Sequence, residues 1–438
     1  MAKKTKAASL TIEEKLEQAL VVPGYEPYKI PDNWCWLKLL ASFDNCTDSK
    51  KKIQQKKYLK DGAWTIIDQG KQEVGGYTND EALLYSGILP VIIFGDHTRC
   101  IKYIDFPFAQ GADGVKVLRP KSFYSPKLFY YALQSVEIPN LGYRRHFPIF
   151  DRFAIPLPPL PEQQRIVERI ESLFSKLDEA KEKAQEVIDS FETRKAAILH
   201  KAFSGELTAK WRKENGVGIE SWENRSINDI CHSLKYGTSK KSKTQGSVIV
   251  IRMGNIQQGE IDWSDLAYTD DKEDIEKYRL SPGDVLFNRT NSAVLVGKTS
   301  IYRGEFPAIY AGYLIKLDYK HDEIIGDYLN YALNTPAAKE YCNNVKTDGV
   351  NQSNINAKKI GAFVIPVASI NEQQVIVEII SSLLKKENES KQAAEVVIDQ
   401  IYTMKKAILA RAFRGELGTN DPEEESAVEL LKQILSGE

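Results

Sequence analysis

The residue types that do covalent chemistry are present in this chain without the spacing that chemistry needs. An amino-methyltransferase site needs a [DNS]-P-P-[YFW] tetrapeptide, and the nearest match, Leu157-Pro158-Pro159-Leu160, lacks both outer residues. Gly297-Lys298-Thr299 resembles the end of a phosphate-binding loop, but Ser292 stands where the first glycine of G-x-x-x-x-G-K-[ST] belongs. The five histidines show no paired metal spacing, so His232 beside Cys231 reads as structural. The five cysteines, Cys35, Cys46, Cys100, Cys231 and Cys342, are odd in number and form no C-x-x-C pair, which fits a reducing, cytoplasmic setting.

Residues suited to binding are more plentiful. Arg pairs with guanine edges in the DNA major groove, and Asn or Gln with adenine edges. Polar loops carrying these types flank β-rich runs in two regions. In the first they are Gln69, Lys71, His97, Thr98 and Arg99, then Tyr143, Arg144, Arg145 and His146 of GYRRHF. In the second they are Arg252, Asn255, Asn288, Arg289, Asn291 and Lys298, then Gln352 and Asn354 of GVNQSNI. Lysines occupy matching early places in both regions: Lys50, Lys51, Lys52, Lys56 and Lys57 in one, Lys235, Lys240, Lys241 and Lys243 in the other. They suit phosphate contacts, which position a duplex without specifying its sequence.

The elements that must position these loops follow from a repeat. Residues 155–207 return as residues 365–417 at an offset of 210, and from Glu162 against Glu372 onward 26 of 46 positions are identical. So long a period marks a duplicated half-molecule rather than a solenoid. Ile166, Ile170, Leu173, Leu177, Ala180, Ala184, Val187, Phe191 and Ile198 form a heptad seam. The second copy continues it with Ile376, Ile380, Leu383, Ala394, Val397, Ile401, Met404 and Ile408, interrupted and weakened at Glu387 and Ser390. Two such seams predict one intramolecular antiparallel coiled coil, of helices about 40 residues and roughly 60 Å long. Pro161 and Asn371 are suitable openers, and Gly205 and Gly415 suitable stops.

The chain is therefore read as α+β, with two mostly β domains held apart by two long helices. The expected divisions are an N-terminal arm (1–30), a first reading domain (31–154), a central helix (155–210), a second reading domain (211–364), a distal helix (365–420) and a tail (421–438). The end segments 9–20 and 422–436 both look amphipathic and are expected to pack together. The net charge of −1 hides an uneven distribution. Residues 31–155 carry 17 Lys+Arg against 13 Asp+Glu, residues 211–365 carry 20 against 20, and residues 366–438 carry 8 against 13. Counterion release by this chain alone is accordingly modest. The N-terminal stretch lacks the apolar run of a signal peptide, and no segment is apolar enough to span a membrane.

PLPPLPEQQRIVERI and its second copy after IPVASINEQQ, with VIIFGDHTR, GDVLFNRTNS-x-x-VGKT and GVNQSNI, resemble the specificity subunit of type I restriction-modification systems. The resemblance implies two target-recognition domains, each reading half of a bipartite site in double-stranded DNA, with spacer helices between them. It also implies docking of two adenine-methyltransferase subunits and of motor-nuclease subunits. Those partners, not this chain, would use S-adenosylmethionine, ATP and magnesium. Phe203 and Phe413, at the ends of the repeated helices, are candidates for methyltransferase docking or for capping the helix ends. Two alternatives stay open: the specificity subunit of a methyltransferase system without the motor, and a coiled-coil scaffold that binds only proteins.

Overall fold

The computed structural model describes residues 11–112, 114–350 and 352–437, so residues 9 and 10 of the predicted N-terminal helix lie outside the described residues. The chain divides into two compact units, Met1–Lys183 with Val397–Glu438, and Ala184–Val396. Both are mixed α and β.

The same strand plan builds each unit. In the first, a four-stranded antiparallel sheet runs in the order Phe43–Asn45, Val115–Pro120, Val91–Gly95, Ile101–Ile104. Beside it is a three-stranded sheet in which Trp64–Ile67 lies parallel to Phe108–Gln110 and antiparallel to Gly76–Thr78. In the second, Cys231–Tyr236, Leu314–Tyr319, Val285–Asn288 and Thr299–Ile301 form the four-stranded sheet. Its companion pairs Val248–Ile251 in parallel with Ala308–Tyr310. A short antiparallel pair closes each unit, Cys35–Lys38 with Ala154–Leu157 and Glu223–Ser226 with Val364–Val367.

The central strands read as unbroken apolar runs because both of their faces are covered. Alternate residues of a strand point to opposite faces, so Ile92 and Phe94 enter one core while Val91 and Ile93 enter another. Val285 and Phe287 separate from Leu286 in the same way.

The repeated helices depart from expectation in two respects. The second copy is one continuous helix, Ile370–Ala412, of 43 residues and about 64 Å. It is the first copy that breaks, into Leu160–Asp189 and Phe191–Phe203 at Ser190. The Glu387 expected to weaken the second copy is instead held by Arg194, with Nε donating to Oε2 at 2.5 Å. The opener of the second helix is Ser369, whose Oγ accepts the Glu372 N–H at 3.4 Å, while Asn371 already lies inside the helix. Gly205 and Gly415 do stop the helices, at φ +81° and +74°, where a side chain would be strained.

Within the first unit the start of one long helix packs against the end of the other, Ile166 and Ile170 sharing a core with Leu409, Ala412 and Phe413. In the second unit Ile376 and Ile380 meet Leu199 and Ala202. The pairing is antiparallel in both. The seam is buried only in parts: Ala180 is exposed, and Val397 and Met404 are 39% and 48% exposed. The terminal helices Ile12–Ala19 and Ala427–Ser436 pack on one another, as their matching patterns suggested.

The E-Q-Q motif at each helix start explains itself at this point. Trp34 Nε1 donates to Glu162 Oε2 at 2.6 Å and Trp222 Nε1 to Glu372 Oε2 at 2.8 Å. Gln163 accepts from Ser125 N and donates to Phe123 O and Pro158 O. Gln373 repeats this with Ile325 N, Glu323 O and Ala368 O. Each motif thus ties a long helix to the domain that precedes it. The segment after the end of the opposite helix completes the joint, through Thr419 and Asn420 at Glu162 and through Thr208 and Arg212 at Glu372.

Candidate nucleic-acid interface

In the first unit the loop between Ile138 and Phe147 presents Tyr143, Arg144 and Arg145 to solvent, with Tyr143 fully exposed. His146 does not join them, which corrects its assignment as a reading residue. Its ring is fully buried: Nε2 accepts the Leu141 N–H at 3.1 Å, so Nδ1 carries the proton and donates to Asp96 O at 2.8 Å. Buried Asp96 in turn accepts the Phe147 N–H at 2.7 Å and lies 3.8 Å from Lys116 Nζ. His97 Nδ1 sits 3.1 Å from Tyr143 O, and its backbone N–H reaches Gln69 Oε1 at 3.1 Å. Thr98 Oγ1 donates to Gln69 O at 2.5 Å, and Arg99 Nη1 to Ile138 O at 3.0 Å. Gln69, His97, Thr98, Arg99 and His146 therefore form the bed of the loop, and Tyr143, Arg144 and Arg145 its outer surface. Exposed Lys71 stands apart on the neighbouring turn.

The second unit has the corresponding arrangement in different residues. Ile355 N donates to Arg289 O as His146 N does to Asp96 O, which puts Asn354 in register with Arg145 and Gln352 with Tyr143. Gln352 is exposed. Arg289 stacks over Tyr236 at 4.8 Å and donates from Nη2 to Asn354 Oδ1 at 3.2 Å; Asn354 Nδ2 donates to Thr290 Oγ1 at 2.8 Å. Asn291 is half-buried in the short strand that pairs with Ser353–Asn354. Arg252 is paired with Asp265 at 2.9 Å. Lys298 Nζ donates to Gln257 Oε1 at 2.9 Å, and burial holds its amine below the usual range.

Two further assignments are corrected by burial. Asn288 is fully buried with no partner at either end of its amide among the described residues, and Asn255 is buried with Nδ2 donating to Asp262 O and Asp265 O. Burial takes both out of the exposed surface of the loops. The exposed apolar side chains of the same loops, Val294 at 90% and Val350 at 102%, were missed. For Val350 the available signal was a valine inside an otherwise polar loop, whereas Val294 lies in the apolar run Ala293–Val296, which gives no such signal.

The matched lysines differ in availability. Lys50, Lys56 and Lys57 are exposed, Lys51 and Lys52 half-buried, and among the described residues none of the five forms an ion pair. In the second unit Lys235 pairs with Asp318 at 2.7 Å, Lys240 with Asp271 at 2.7 Å and Lys243 with Asp270 at 3.4 Å; Lys241 is exposed. Hydrogen bonds from Lys235 and Lys240 hold the Asp318 and Asp271 carboxyls below their ordinary range. For Asp270 the Ser247 bonds lead and Lys243 adds to them. The balanced charge of the second region is thus neutralised locally, and the surplus of the first is free.

The docking candidates at the helix ends also need correction. Phe413 is fully buried in the first unit's core, and half-buried Phe203 packs on Tyr328 at 4.9 Å between centroids. Both anchor helix ends. Among the described residues no helix is long and apolar enough to cross a membrane, and no cluster of metal-ligating side chains occurs.

The class so defined is a duplicated α+β protein with an exposed polar loop on each of two like-built units and no assembled catalytic centre among the described residues. The chain belongs to the type I restriction modification DNA specificity domain family, whose model matches residues 47–189 and 219–398. It is 26% identical over 301 residues to the type I restriction enzyme EcoKI specificity subunit of Escherichia coli, covering 65% of this chain and 64% of that one. The StySPI specificity subunit of Salmonella potsdam is 25% identical over 314 residues, covering 68% and 67%. The chain therefore matches about two thirds of the length of these relatives. A chain from a structural study of complex assembly and conformational transition of the type I R-M system has the same fold, with TM-score 0.62 over 89% of this chain and 100% of its own, at 18% identity. The HsdS subunit from Thermoanaerobacter tengcongensis gives 0.52 over 89% and 99%, also at 18% identity.

Proposed function

We propose that this chain is the sequence-specific DNA-recognition subunit of a type I restriction-modification complex and carries out no catalysis itself. Each unit reads one half of a bipartite site in double-stranded DNA. The long helices fix the unread gap, and two methyltransferase subunits and the motor-nuclease subunits dock on the assembly. S-adenosylmethionine, ATP and magnesium belong to those partners. The observation that carries this reading is the pair of exposed loops, 142–145 and 347–350 with Gln352, each leading into the residue, His146 or Ile355, that bonds back to the end of the corresponding strand of like-built scaffolds. Scaffold-borne loops of this kind are suited to base readout, and the exposed lysines Lys50, Lys56 and Lys57 of the first unit to phosphate contact.

The test is selection from a pool of random duplexes by the chain assembled with its methyltransferase subunits. Two constant blocks separated by a constant gap are expected. A single continuous block, or no enrichment, contradicts the reading.

A further inference from the structure

A cavity of about 240 Å³ opens in the first unit beside the lysine-rich segment and is lined by Cys46, Asp48, Lys51, Tyr85, Gln110 and Arg119 among others. Its polar lining is dominated by donors. Lys51 Nζ spends one N–H on Leu84 O at 2.7 Å, leaving two. Arg119 binds Asp44 through Nη2 at 3.0 Å and acts electrostatically on both Cys46 and Tyr85. Tyr85 and Cys46 share the cavity lining.

Gln110 is the most informative member. It is 2% exposed, and its Oε1 accepts the Asp48 N–H at 3.2 Å, which fixes the amide orientation. Its Nε2 has no partner among the described residues. A buried amide N–H without a partner is destabilising, so the position favours an acceptor brought by a ligand. The only carboxylate among the lining residues, Asp48, accepts the Lys50 N–H at 2.8 Å. In the second unit the parallel-strand register puts Tyr310, whose ring is buried, in the place of Gln110.

We propose that this cavity binds a phosphate group of the DNA backbone, with Gln110 Nε2, Lys51 and Arg119 as donors. The inference rests on the DNA-recognition reading. A polyanion is favoured over a small free anion because the segment that supplies Lys51 to the cavity also carries Lys50, Lys52, Lys56 and Lys57.

Cys46 supplies the readout. Cys35, Cys231 and Cys342 are buried, which raises their thiols to about 12, about 12 and about 11, so a thiol reagent at pH 8 labels them more slowly than half-buried Cys46. In full-length protein carrying Cys100→Ser, labelling then reports Cys46. Inorganic phosphate at twice its dissociation constant should slow labelling about threefold relative to chloride at equal ionic strength. A site-bearing duplex should do the same for the chain assembled with its methyltransferase subunits. Gln110→Glu, nearly isosteric and repulsive to an anion, should label normally and lose both protections; Lys51→Ala, a partly exposed change, should weaken both. No protection by phosphate, with duplex binding retained, overturns the site while leaving the recognition reading intact. Protection by phosphate but not by duplex overturns the DNA source. Equal duplex protection in Gln110→Glu means that DNA merely covers the cavity, and protection by an acidic peptide alone assigns it to a protein partner; both results overturn the proposal.

Discussion

Glu162 and Glu372 hold the same place in two copies of one motif and solve the same burial problem differently. Glu372 is paired with buried Arg212 at 2.7 Å, whereas among the described residues Glu162 accepts hydrogen bonds from Trp34, Thr419 and Asn420, all neutral. Removing one partner of a buried ion pair strands the other. Glu372→Gln is therefore expected to destabilise the second unit by about 3–5 kcal/mol. Glu162→Gln is expected to destabilise the first by about 1–3 kcal/mol. Urea unfolding followed by hydrogen exchange checks this, and equal losses contradict it. The reading loops make a second residue-scale prediction. Arg144→Ala or Arg145→Ala should weaken duplex binding by about 1–3 kcal/mol with relaxed preference in one half-site only. Lys56→Ala should weaken all duplexes alike and lower the salt slope by about 1. Residue type revealed these loops from the sequence because hydrogen-bonding capacity is written in the side chain. It could not separate Arg145 from His146, because adjacent residues of a turn face opposite ways and only the fold says which way is inward.

At the scale of elements, the long helices were legible because a seam at three- and four-residue steps survives in both copies. Where the seam closes was not legible. Ile380 is fully buried and Val397 is 39% exposed, although both occupy seam positions. Ile380→Ala should cost about 2–5 kcal/mol. Val397→Ala should stay within about 0.5 kcal/mol, and comparable losses in thermal unfolding would contradict the partial seam. The break at Ser190 was hidden for a related reason. The polar interruption visible in the sequence, Glu387, is satisfied by Arg194. The Ser190 hydroxyl instead binds back to Glu186 O, a local competition that a periodic pattern does not register. The E-Q-Q identities announced a repeat but not their role, since the segments that meet are more than 160 residues apart in sequence for Thr208 and Glu372.

For the whole molecule, the duplication found at an offset of 210 corresponds to two units built on one strand plan, each completed by the opposite helix end. Under the proposed function the helices are a ruler. Removing seven residues from each, about 10 Å, should shorten the recognised gap by about three base pairs without changing either half-site. The most direct test of the central claim is to co-express the chain with its methyltransferase subunit and map methylated adenines across the host genome. The account predicts modification at one split motif with a fixed gap. A stable complex that leaves no split motif would contradict it.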